Sequence, residues 1–192
     1  MQLVPERATY DMVTALRATA TVAAEAPPRG SAMTTSAVRA YVKQARPWTR
    51  RAVPRRVGFI GRERELERLT HLLSAEESPV VTLQGPGGIG QTRLALQVVD
   101  MLRPNFADGA VVASLSDAIE LDGAASVLAT ALEIDLPAGT DVFEEIENAL
   151  APHRALVLLD NVEQLSGIGD LVERWRAAAP GIAWLLTSRS RV

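Results

Sequence analysis

Eight residues, Gly85-Pro-Gly-Gly-Ile-Gly-Gln-Thr92, have the composition of a loop that holds phosphate. Glycines let successive backbone N–H groups converge on an anion without a β-carbon in the way, and a helix opening at the loop adds a favourable partial charge. Thr92 stands where a hydroxyl would bind Mg²⁺. The G-x-x-x-x-G-K-[ST] pattern is complete except at its charged position, where Gln91 replaces lysine. The chain has one lysine, Lys43, against 19 arginines, so no neighbouring lysine can fill the gap. Taken alone, the octet is equally compatible with a glycine-rich turn.

A second candidate lies about 75 residues downstream, where the apolar run Arg154-Ala-Leu-Val-Leu-Leu-Asp160 ends in a carboxylate. Parallel strands buried on both faces have such runs, and ligand-binding groups gather at their carboxyl ends. Asp160 is therefore expected to hold Mg²⁺, directly or through water. The next residue, Asn161, cannot act as a base, whereas the carboxylate of Glu163 is near enough in sequence to be considered. His71 and His153 have no metal-like spacing and read as packing or surface residues.

These groups need elements to carry them. Pro79-Val-Val-Thr-Leu-Gln84 is a short strand leading into the loop, and Arg93 to Leu102 an apolar helix leaving it. Before them, Gly61 to Leu73 places Leu66, Leu69, Leu72 and Leu73 on one helical face, with Glu63, Glu65 and Glu67 near its positive end. Strands are expected also over Gly109 to Leu115 and Ile182 to Ser188, with helices at about 121–133, 141–151 and 166–178 as crossovers. The sum predicts a three-layer α/β module with a parallel sheet, in which the strand before the glycine loop lies beside the one ending at Thr187.

The length of 192 residues allows one to one and a half domains, and the charge divides them: residues 1–57 carry a net +7 and residues 58–192 a net −10. The boundary is placed at Val57, after the Pro/Arg-rich stretch from Arg46 to Arg56. Residues 6–25 read as an Ala-rich helix with Met12, Leu16 and Val22 on one side, weakened by threonines at 9, 14, 19 and 21. Residues 37–44 read as another short helix. The arginines at 50, 51, 55 and 56 near Trp48 suit a solvated linker with weak, sequence-independent contact to nucleic acid. No apolar run reaches the length of a membrane span, and no cysteine is present, which excludes thiolate catalysis and disulfides and makes the cytoplasm the default compartment.

Four motifs agree in order and spacing with one known family. Gly58-Phe-Ile-Gly-Arg-Glu-Arg-Glu65, Leu83 through Ala95, Leu158-Leu-Asp-Asn-Val-Glu163 and Leu186-Thr-Ser-Arg189 resemble the NB-ARC-like nucleotide-binding domain of STAND-type signalling NTPases, particularly those of large bacterial transcriptional regulators. The resemblance covers about residues 57–192 and implies a P-loop NTPase-like domain that binds ATP or ADP with Mg²⁺. It implies that Arg62, with Phe59 and Ile60, lies near the nucleotide, that Gly85, Gly87, Gly88, Gly90, Gln91, Thr92 and Arg93 form the phosphate loop, that Thr92 and Asp160 bind magnesium, and that Arg189 faces the γ-phosphate. A homo-oligomer or a regulatory protein partner is implied as well.

Two departures from the family pattern matter. The chain ends three residues after Arg189, before the family's fifth strand, lid and repeats, so four strands are expected and the strand before the loop is expected at an exposed edge. At Gln91 a unit charge pair worth about 4 kcal/mol at an effective dielectric of 20 is exchanged for a neutral hydrogen bond of roughly 0.5–1.5 kcal/mol. After desolvation the loss in phosphate affinity or transition-state stabilisation is of the order of 10² to 10³. The expected function is an ATP/ADP-binding regulatory switch with weak or absent hydrolysis. The alternatives are an active ATPase helped by Arg93 or a partner's arginine, and an interaction domain that binds no nucleotide.

Overall fold

The computed structural model describes residues 13–15, 62–75, 78–136 and 139–190. Four strands, β2 (Val80–Gln84), β3 (Ala110–Ser114), β4 (Leu156–Asp160) and β5 (Ala183–Ser188), run parallel in the order β2-β5-β4-β3. The neighbour expected of the strand before the loop is the one observed, with Leu83 opposite Thr187. Between the strands run α2 (Gln91–Leu102), α3 (Leu121–Leu132), α4 (Val142–Leu150) and α5 (Ile168–Ala178), and α1 (Glu63–Ala75) precedes β2.

Strand alternation builds the two outer layers. In β4, Leu156 and Leu158 face one way and pack with Leu69 and Leu73 of α1 and Leu94, Val98 and Leu102 of α2. Val157 and Leu159 face the other way, toward Leu128 of α3, Ile146 and Leu150 of α4, and Val172 and Trp175 of α5. All five residues of β4 are buried, which is why its sequence is a continuous apolar run rather than an alternating one. Each fully buried leucine or valine contributes about 1.5–3 kcal/mol, so the two cores hold the central strands rigidly at the sheet's carboxyl ends, where the candidate site lies. At the opposite end Gly181 fixes the start of β5: a β-carbon there would lie 2.3 Å from the carbonyl oxygen of His153, closer than any side chain can come.

Two expectations at the sheet edge are corrected. Residues 13–15 are not helical; Val13–Ala15 form a strand, β1, while the rest of the expected 6–25 helix, and the 37–44 helix, lie outside the described residues. β1 pairs antiparallel with β2, Val13 opposite Leu83 and Ala15 opposite Val81, so β2 is not an exposed edge. The unpaired N–H and C=O groups along β2 supply the reason. They offer ladder hydrogen bonds to any extended segment, and the β-branched Val13 and Thr14 favour strand over helix.

Candidate functional site

The carboxyl ends of β2, β5 and β4 bring the expected residues together. β2 delivers the glycine loop, β5 ends at Ser188 followed by Arg189, and β4 ends at Asp160. Within the loop, Gly88 and Gly90 have φ of +82° and +90°, in the left-handed region where a β-carbon is strained. This backbone turns the chain into α2, whose first residue is Gln91 and whose N-terminus has no side-chain cap. The uncapped first-turn N–H groups, with Gly87, Gly88 and Gly90 before them, are what an anion needs, whereas the Gly85 N–H donates to the Ser188 carbonyl at 3.2 Å. The exposed Gly87 and Gly88 leave the loop open to solvent.

Gln91 is buried, and its carboxamide turns inward. Nε2 donates to the Leu83 carbonyl at 3.0 Å and to the Ser188 carbonyl at 2.7 Å, tying the ends of β2 and β5 together. Two carbonyl partners require an NH₂ group, so the chemistry itself fixes the amide orientation. Both amide hydrogens are thereby used, and what the side chain has left is an acceptor oxygen. An ammonium at this position would have a third donor for phosphate; the carboxamide has none.

Asp160 is buried, and its Oδ1 accepts from the hydroxyls of Thr92 at 2.8 Å and Thr187 at 2.6 Å. Thr187 Oγ1 in turn accepts from the Asn161 amide at 2.9 Å, where the backbone enters the left-handed region at φ 62°. The donor set fits Mg²⁺, a hard cation that takes oxygen ligands. The 2.8 Å between Thr92 Oγ1 and Asp160 Oδ1 matches the roughly 2.9 Å edge of an octahedron with bonds of about 2.05 Å. Thr187 was not singled out from sequence as a site residue. Its signal was a hydroxyl at the end of an otherwise apolar strand, but the pairing that sets it beside Asp160 depends on register between β4 and β5.

Two arginines bracket the loop. Arg62 donates from Nη2 to the Ile89 carbonyl at 2.5 Å, and a β-carbon on Gly90 would lie 4.0 Å from its Nη1. At the other end, a β-carbon on Gly87 would lie 3.7 Å from Arg189 Nε, while that same nitrogen pairs with Glu163 Oε1 at 3.0 Å. Arg93, by contrast, is exposed on α2, and Phe59 and Ile60 lie outside the described residues. His71 is exposed, and His153 is buried with Nδ1 3.3 Å from Asp108 Oδ2. Among the described residues no cluster of three or more His, Asp or Glu suits a metal ion, and no helix is long and apolar enough to cross a membrane.

A glycine loop between a strand and an uncapped helix, with a carboxylate at the end of β4 and an arginine after β5, can be compared with known proteins. The NB-ARC domain model matches residues 62–192. The chain belongs to the NB-ARC family. It is 30% identical over 145 residues to the regulatory protein AfsR of Streptomyces griseus, covering 70% of this chain and 14% of AfsR. It is 30% identical over 117 residues to a Mycobacterium tuberculosis protein named as an HTH-type transcriptional regulator, covering 60% of this chain and 13% of that one. The chain thus spans a small part of these regulators, and about a third of the length of other curated relatives. Its fold is similar to that of the Aeropyrum pernix ORC2 protein, with a TM-score of 0.53 at 20% identity over 74% of this chain and 45% of that one. The NB-ARC domain described here has the P-loop NTPase-like α/β fold.

Proposed function

We propose that this NB-ARC domain is an ATP/ADP-binding switch module of a signalling ATPase or transcriptional regulator, in which hydrolysis is weak or absent. The orientation of Gln91 carries the reading. The N–H groups of the glycine loop and the Thr92–Asp160 pair would hold a diphosphate and Mg²⁺, Mg²⁺ supplying charge neutralisation to the phosphates. With both Gln91 amide hydrogens committed to Leu83 and Ser188, no donor from that position meets a γ-phosphate as charge develops in the transition state. Asn161 adds no carboxylate base. The ORC2 structure is described as ADPNP–ADP complexes, which supports a nucleotide for this fold, and the named regulators support a regulatory role.

The division at residues 57 and 58, the cytoplasmic setting, an oligomeric or protein partner, and weak nucleic-acid contact by the basic segment belong to the same proposal. One observation favours a second reading, an active ATPase. Arg189 and Arg62 lie against Gly87 and Gly90, so either guanidinium could supply the missing positive charge, a role the exposed Arg93 is less well placed to fill. Single-turnover hydrolysis of labelled ATP by the wild-type chain decides between them. We expect turnover at background, together with thermal stabilisation by ADP and by ATP. Turnover abolished by Arg189→Ala or Arg62→Ala would establish the second reading, and no stabilisation by either nucleotide would refute both.

A further inference from the structure

The glycine loop has a cation beside it that is already matched to an anion. Arg189 extends from the end of β5 over Gly87 with its side chain about two-thirds exposed, and its Nε pairs with Oε1 of Glu163 at 3.0 Å. Glu163 comes from the turn after β4 and is mostly buried, its side chain 18% exposed. Its second oxygen, Oε2, is buried with no hydrogen-bond partner among the described residues. Arg189 is therefore the group that offsets this carboxylate, and withdrawing the guanidinium would leave a buried, unpaired charge.

From this arrangement we infer that Glu163 sets the nucleotide selectivity of the loop. The inference rests on the nucleotide-binding reading above. ATP differs from ADP by one phosphate and its negative charge, and discrimination in favour of ATP needs a cation that the extra phosphate can engage. Gln91 provides none. Arg189 is at the rim of the loop, but its charge is neutralised by Glu163, and an anion that takes the guanidinium must first compete with the carboxylate. With the pair intact the two nucleotides meet nearly the same field and bind with similar affinity. Glu163 thus acts through Arg189; it is a specificity-determining residue and not a catalytic one.

Glu163→Gln is the informative variant, because Gln retains an oxygen that can accept from Arg189 Nε while removing the negative charge. Titrating Mg·ATP and Mg·ADP into the wild-type chain, Glu163→Gln, Arg189→Ala and the double variant separates the outcomes. ATP affinity should rise about fivefold in Glu163→Gln, the scale of a partly exposed ion pair, with ADP affinity unchanged. The gain should vanish when Arg189→Ala is added. The inference is overturned if ATP and ADP shift together, if ATP affinity does not rise, or if the gain persists without Arg189. Should the wild-type chain bind neither nucleotide, the nucleotide-binding reading itself fails and the selectivity claim with it. A wild-type chain that binds ADP while Glu163→Gln changes nothing defeats the selectivity claim alone.

Discussion

At the residue scale, Gln91 has two jobs that a lysine could combine and a glutamine cannot. Its amide joins the ends of β2 and β5, and on the proposed nucleotide-binding reading it occupies the position from which a cation would reach phosphate. Gln91→Ala should lose both bonds, leaving the Ser188 carbonyl with the Gly85 N–H at 3.2 Å, and lower stability by about 1–3 kcal/mol in chemical denaturation. Gln91→Glu should be worse, since a carboxylate set against two carbonyls has only acceptors to offer; a wild-type midpoint in either variant would show that the observed bonds are not made in solution. Thr187 belongs to the same scale. Thr187→Val keeps the shape but removes the hydroxyl that links Asn161 N–H to Asp160, and should cost a similar 1–3 kcal/mol. Much of this site was legible in sequence, because glycine spacing and a carboxylate after an apolar run are local signals. The direction of the Gln91 amide was not, since its partners lie 8 and 97 residues away and are backbone atoms that any sequence would supply.

At the scale of elements, the four parallel strands and their helices follow from periodicity, and the observed bounds differ from the expected ones by only a residue or two. Helix α2 starts at Gln91 rather than Arg93 because the left-handed Gly90 lets the helical turn begin directly at the loop. The alanine content around β1 favours helix as a local propensity, whereas its strand state is set by the unpaired edge of β2. Close approach of backbones was equally hidden. Nothing in the sequence around Gly181 announces that it sits against His153, yet Gly181→Ala must displace the carbonyl there and should cost roughly 1–3 kcal/mol or more. Thermal melts of this variant check it, and an unchanged midpoint would mean that β4 and β5 do not start this close together.

At the scale of the whole molecule, the N-terminal segment has two distinct consequences. Through β1 it covers the edge of β2, so removing residues 1–20 should expose that edge and promote concentration-dependent self-association, measurable by light scattering. A deletion variant that stays as monodisperse as the intact chain would show that β1 does not protect the edge. Through its net charge of +7 it should attract nucleic acid weakly, without sequence preference and with a steep decline as salt rises. Tight, sequence-selective binding at physiological salt would contradict that account.

The intact chain also permits the most direct test of the central claim, that the loop holds nucleotide without a lysine-like donor to phosphate. Isothermal titration of ATP and ADP, each with Mg²⁺, into wild-type and Gln91→Lys protein measures it. The account predicts that wild-type protein binds ADP about as well as ATP, and that Gln91→Lys strengthens both by roughly 1–3 kcal/mol, the scale of one charge-assisted hydrogen bond. Wild-type protein that binds ATP tightly, with the lysine variant no better, would contradict it, because Gln91 would then not stand at the phosphate site.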